Sequence, residues 1–112
     1  MYLEYNFEQE EEIKKWNFGA MFLPLIWGPC NKCYITLTCL IPFLLPMPVL
    51  FNAYAAIILH LWFGMYGNKW ALENKNWENL EEFARVQQNW NIAGFIAVGF
   101  VLFAPLLTVL FD

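Results

Sequence analysis

The chain is 112 residues long, 60% hydrophobic, 20% aromatic and only 14% charged, with a formal net charge of −4. A soluble domain carries about 25% charged residues, so this composition falls outside the soluble range and points to one small membrane domain. The acidic balance, with 6 Lys and Arg scattered along the chain, excludes the basic patch expected of a nucleic-acid binder.

Residues 1–15 read as an acidic, water-facing segment. Glu4, Glu8, Glu10, Glu11 and Glu12 stand where a secretory signal would be basic, so no cleaved leader is expected. Glu10–Lys14 and Glu11–Lys15 lie at i,i+4 with Glu leading, which predicts a short solvated helix. Residues 16–28 are apolar but too short to span, and Pro24 interrupts them. Trp16 and Trp27 near the two ends suit the headgroup level, which predicts an interfacial or re-entrant helix. The alternative is a kinked first span running through Lys32 to Leu45, in which Lys32 must snorkel or sit in a wet cavity.

Residues 33–68 contain no Lys, Arg, Asp or Glu. As one helix the run would reach about 54 Å, against a bilayer core of roughly 30 Å. Pro46-Met47-Pro48 cannot continue a helix cleanly, because each proline lacks an N–H and restricts the residue before it. The run therefore reads as a transmembrane hairpin with arms 31–45 and 49–65, turning at 46–48. Gly64, Gly67 and Asn68 supply the expected stop for the second arm.

Residues 69–90 are polar again and read as a cytoplasmic amphipathic segment. Asn79 with Glu82 resembles a capping box, and Leu80, Phe83, Ala84, Gln87 and Trp90 recur at helical spacing. This helix is expected to run unbroken into a final transmembrane helix, 91–111, uncharged from Ile92 to Phe111. A hairpin puts Lys14, Lys15, Lys32, Lys69, Lys75 and Arg85 on one side, which the positive-inside rule makes cytoplasmic. The turn at 46–48 and the C-terminus at Asp112 would then face outward. The expected fold is thus an all-α integral membrane protein.

Several motifs occur in a characteristic order: Trp16-Asn17-Phe18-Gly19-Ala20, Leu23-Pro24, Ile26-Trp27-Gly28, Gly67-Asn68-Lys69-Trp70-Ala71, Trp77, Glu81-Glu82-Phe83, Val86-Gln87 and Trp90. In that order and spacing the chain resembles a family of small bacterial inner-membrane proteins of unknown function. That family has a Trp-Asn-Trp-Gly-Ala-type opening and a Gly-Asn-x-Trp-Ala motif ahead of a polar helix. The resemblance covers roughly residues 14–110; Phe18 stands in place of Trp and Asn79 in place of Ser. It implies the membrane architecture and a bacterial origin, and it implies no activity.

Candidate chemistry is sparse. Cys30-Asn31-Lys32-Cys33 is a C-x-x-C, but no second pair and no paired His completes a metal site. With Cys39 it makes an odd number of cysteines, which is no disulfide framework. His60, the single histidine, and Asn52 are the candidate polar residues inside the membrane. Ser is absent, and no phosphate-cradling glycine loop occurs. No enzyme activity, cofactor or metal is implied. The candidate working surface is the cytoplasmic face, with Trp16, Trp27, Trp70, Trp77, Phe83, Arg85, Gln87 and Trp90 as its interaction residues. The function expected is that of an accessory, regulatory or scaffolding subunit, whose partners are the lipid bilayer and another membrane protein or its own copies. The alternatives are a small oligomeric channel or transporter, and a defence, immunity or superinfection-exclusion protein.

Overall fold

In the computed structural model, which describes residues 5–111, every regular element is helical and no strand occurs among the described residues. Residues 1–4 of the acidic segment, and the C-terminal Asp112 expected on the outer side, lie outside the described residues.

Helix α1 spans Phe7–Lys14 and opens with a capping box: Asn6 accepts from the Gln9 backbone N–H, and the Gln9 side chain accepts from that of Asn6. The i,i+4 pairs expected here do not form as salt bridges. Lys15 binds Glu12 instead, at 2.9 Å, because the helix has ended at Lys14 and Lys15 is extended. Two short helices follow, α2 (Phe18–Phe22) and α3 (Pro24–Cys30), with Asn17 capping the first and Pro24 opening the second. The segment 16–28 is therefore two helices meeting at Leu23, where Pro24 cannot donate to the preceding turn.

The arm expected as one helix over 31–45 is broken differently. Asn31 and Lys32 form a turn, Tyr34–Leu40 is a 3-10 helix, and only Ile41–Leu44 (α4) is α-helical. Thr36 and Thr38 turn their hydroxyls back onto the carbonyls of Cys33 and Ile35, which competes with the α-helical pattern. Beyond Pro46-Met47-Pro48, helix α5 runs from Val49 to Asn74. It continues through Gly64, Gly67 and Asn68, so the stop expected there is a correction. Those glycines serve close packing: a Cβ on Gly67 would sit 2.8 Å from that of Ala20, and one on Gly64 would strike the Trp16 indole. The chain leaves the helix at Lys75, which is extended. Asn79 then caps α6 (Leu80–Phe111), accepting from the Glu82 N–H at 2.7 Å. The Glu82 carboxylate reaches back one residue further than in a regular capping box, to the Glu78 N–H.

The order of packing explains the shape. α2 is wedged between α5 and α6, α1 lies on α5, and α3 backs onto the 3-10 segment, while α5 and α6 barely touch each other directly. The core therefore sits at one end, where Ala20, Trp27, Phe63, Ala71 and Phe83 are buried. Away from it the apolar halves of α5 and α6 are bare: Val49, Leu50, Ile58, Ile96, Phe100 and Val101 are all exposed. Both α5 and α6 are long and apolar enough to cross a membrane. α5 measures about 39 Å and α6 about 48 Å at 1.5 Å per residue.

Candidate functional site

The packed end is organised by carboxamides. Asn17, at the head of α2, donates from Nδ2 to Asn68 Oδ1 of α5 at 2.7 Å and to Gln87 Oε1 of α6 at 2.9 Å. The same Gln87 oxygen accepts from the Trp27 indole at 2.9 Å, and Gln87 Nε2 donates to Asn31 Oδ1 at 2.9 Å. Asn31 in turn donates to the Trp27 carbonyl at 2.8 Å. Asn68 Nδ2 donates to the carbonyls of Glu12 and Lys15, at 2.9 and 3.2 Å, and so fastens the end of α1.

The orientation of every amide in this set follows from partners that have only one role. An indole N–H can only donate, which turns the Gln87 oxygen towards Trp27. The Ala20 backbone N–H, 2.8 Å from Asn17 Oδ1, forces the Asn17 nitrogen towards Asn68 and Gln87. Backbone carbonyls at Glu12 and Lys15 fix Asn68 in the same way. Carboxamides neither titrate nor attack, so the network is a pH-insensitive lock between α1, α2, α3, α5 and α6 rather than a reactive site. Thr36 extends the lock to the 3-10 segment by donating to the Pro24 carbonyl at 2.8 Å.

This arrangement corrects part of the expected interaction surface. Trp27 and Phe83 are 0% exposed and Gln87 only 3%, so these three belong to the interior. Burial of Gln87 follows from its place on the apolar stripe of α6, with a buried indole waiting for its oxygen. Trp16, Trp70, Trp77 and Trp90 are half-buried, and only Arg85 of the eight is exposed. Trp16 lies against Gly64, and Trp90 against Gly19. Trp77 donates to the Ala71 carbonyl at 2.9 Å and meets Phe83 edge-on at 5.2 Å. Trp70 packs edge-on against Trp62 at 5.2 Å. The segments 16–28 and 69–90 do come together, but largely through their interior faces.

Asn52 and His60 do not form a shared polar path. Asn52 donates to the Met47 carbonyl at 3.2 Å, tying the start of α5 to the preceding turn, and its Oδ1 is buried without a partner. The His60 ring nitrogen Nδ1 lies 2.7 Å from the Ala56 carbonyl of its own helix. Eight residues apart on α5, the two are separated by about 12 Å along the axis.

The C-x-x-C divides into unlike halves. Cys30 is exposed and Cys33 buried, and both thiols are free. Cys33, in the turn ahead of the 3-10 helix, donates to the Asn31 carbonyl at 3.2 Å. Burial pushes its thiol up to about 11 from an ordinary 9.0, the reverse of the lowered value that makes a redox thiol nucleophilic.

Beside the C-terminal end of α5 a cleft of about 460 Å³ is lined by Tyr5, Glu73, Lys75 and Trp77, among others. The Tyr5 hydroxyl donates to Glu73. Burial, that hydrogen bond and the carboxylate charge hold the Tyr5 phenol well above its ordinary range. Lys75 Nζ donates to the Cys30 carbonyl at 3.2 Å and lies 5.1 Å from the Trp77 ring centroid. Lys75 and Trp77 are thereby engaged in closing α3 and α5 respectively.

Asn17, Asn31, Thr36 and Asn68 carry the lock, and none of them is among the expected interaction residues. The signal available was a carboxamide at each motif boundary: Asn17 after Trp16, Asn68 after Gly67, and Gln87 inside an apolar stripe. Comparison of the chain with protein-family models, with curated proteins and with solved structures gives no match.

Proposed function

We propose that the chain is a non-enzymatic integral membrane protein of the bacterial inner membrane that acts as an accessory, regulatory or scaffolding subunit. The observation that carries this reading is the division of α5 and α6 into a packed, polar end and a bare, apolar end. All charged residues among those described lie in α1 and the Lys15 that follows it, the turn at Lys32, or the stretch 69–85 around the loop between α5 and α6. Residues 33–68 and 86–111 carry none. In water the exposed Leu, Ile, Phe and Val of the two helices would be a severe aggregation liability, whereas lipid covers them without cost.

On this reading the packed end faces the cytoplasm with the N-terminal segment, the turn at 46–48 faces outward, and α6 carries the C-terminus to the outer side. All six basic residues at one end support that orientation. The segment 34–44, about 20 Å long as 3-10 and α-helix, dips beside α5 to complete the hairpin. The segment 16–28 is the interfacial piece, held between the two spans by the carboxamide lock. The rigid packed end then fixes the angle at which two loosely related membrane helices are offered to a neighbour. Apolar grooves of about 350 and 240 Å³ flank Phe22 and Leu23 between these arms. Another membrane protein, or a second copy, is the partner such an adaptor would engage. The bacterial family that the motifs resemble fits the same reading.

Affinity purification of the tagged full chain in mild detergent, after cross-linking in intact cells, tests this directly. A reproducible membrane partner or a discrete homo-oligomer is expected. Recovery as a monomer without any cross-linked neighbour would overturn it.

A further inference from the structure

Arg85 is the last charged residue before the uncharged stretch 86–111, it is exposed, and it forms no salt bridge among the described residues. It borders a second polar cleft, about 310 Å³ in volume, lined by Glu12, Lys15, Asn68, Ala84, Arg85, Gln87, Gln88 and Asn91. Two cations face one carboxylate there, and that carboxylate, Glu12, is already held by Lys15 at 2.9 Å. Two of the remaining polar groups, Gln88 and Asn91, are donors with capacity to spare. Asn91 uses its oxygen on the Gly19 N–H at 3.1 Å, which leaves its Nδ2 hydrogens free, and Gln88 is exposed. Asn68 and Gln87 form the floor, and the lock described above holds both in place.

We infer that this cleft is a binding site for a phosphoryl oxyanion, with Arg85 as its principal ligand and Gln88 and Asn91 as supporting donors. The arrangement matches the planar, multi-donor recognition that guanidinium gives to phosphate, and the surplus charge is positive. Its place along α6 suits a phospholipid headgroup. Arg85, Gln88 and Asn91 lie within about 10 Å along α6, and the uncharged span begins immediately beyond them. On the membrane reading above, this places the donors at headgroup level; a soluble phosphate would use the same donors without depending on that reading.

Purified full-length protein in neutral detergent is titrated with phosphatidylglycerol, with phosphatidylcholine and with inorganic phosphate, following thermal unfolding by tryptophan fluorescence. Phosphatidylglycerol is expected to raise Tm more than phosphatidylcholine. Arg85→Gln should weaken the apparent affinity about tenfold or more, while Arg85→Lys retains part of it. Lys69→Gln, outside the cleft, should bind like the natural chain. A response to inorganic phosphate equal to that with phosphatidylglycerol assigns the site to a soluble ligand. No response to any of the three, or an equal response from Arg85→Gln, would overturn the inference. Because the readout is made in detergent on an intact chain, its failure leaves the partner experiment unaffected.

Discussion

The Trp27 indole and the Gln87 side chain meet in the interior, with the N–H donating to Oε1 at 2.9 Å across 60 positions of sequence. This contact joins α3 to α6, and the same oxygen holds Asn17 of the α2 cap. Gln87 is therefore the residue whose loss leaves the most polar atoms without partners.

Replacing Gln87 with Leu keeps the volume but orphans the Trp27 N–H, one Asn17 N–H and the Asn31 oxygen. A buried group left unpaired costs about 1–3 kcal/mol, so Gln87→Leu should destabilise by about 3 kcal/mol or more. Gln87→Glu can still accept from Trp27 and Asn17, but when ionised its carboxylate faces the Asn31 oxygen. When protonated it donates there instead. Burial favours that neutral form, so the stability of Gln87→Glu should be highest in acid and fall as pH rises through its raised folded-state value. Equilibrium unfolding in detergent measures both; a loss below about 1 kcal/mol for Gln87→Leu would show the lock to be incidental.

The long elements were legible because their signals are periodic or absolute. An uncharged run, a Pro-x-Pro break and a capped amphipathic stripe identify α5, the turn and α6. The lock was not legible because it is built from pairs 51 to 70 positions apart, such as Asn17 with Asn68 and with Gln87. Gln87 is expected on an outward surface, since a polar residue on a stripe looks like a weak interruption until its partner is known. Gly64 and Gly67 misled for a related reason. Glycine marks a helix stop locally, yet here it admits Trp16 and Ala20 to the helix surface, which only the tertiary contact reveals.

Lys32 is the one non-glycine residue with positive φ among those described, at 56°. It follows α3 in a Schellman arrangement: Cys33 N–H donates to Gly28 O at 2.7 Å and Lys32 N–H to Pro29 O at 3.3 Å. Glycine is the usual occupant of that left-handed position, and an L-residue there costs roughly 1–2 kcal/mol. Lys32→Gly should therefore stabilise the protein by about 1 kcal/mol, less the greater chain entropy of glycine when unfolded. Thermal unfolding checks it, and a lower Tm would mean that the lysine makes a compensating contact.

Exposed Cys30 should be alkylated readily by a thiol reagent in the folded protein at neutral pH, while Cys33 is protected. Since burial raises the Cys33 pKa to about 11, any reaction there should increase as pH climbs from neutrality towards that value. The linkage to stability follows from the same shift. The thiol form is favoured in the folded state, so its contribution is complete below the ordinary value of 9.0 and fades as pH rises through about 11. Mass spectrometry of peptides after timed alkylation reads this out. Equal labelling of both cysteines at neutral pH would contradict it, and a Cys30→Ala, Cys33→Ala double variant is expected to keep full partner binding.

The orientation of the hairpin can be read from single cysteines placed in a chain whose own three are changed to alanine. Met47 lies in the Pro46-Met47-Pro48 turn and is exposed, and Asn76 is exposed in the loop between α5 and α6. Along α5, Val49 to Asn74 covers about 39 Å, enough to separate the two positions by the roughly 30 Å bilayer core. With intact cells, an impermeant maleimide should label Met47→Cys and spare Asn76→Cys; after the inner membrane is opened, both should react. Phe111→Cys, at the far end of α6, should behave like the turn, because α6 starts beside α5's packed end and, on the proposed topology, carries its far end to the outer side. Labelling of Asn76→Cys in intact cells would invert the topology. Equal labelling of all three would remove the membrane crossing itself, since the bare halves of α5 and α6 would then need a protein partner rather than lipid to cover them.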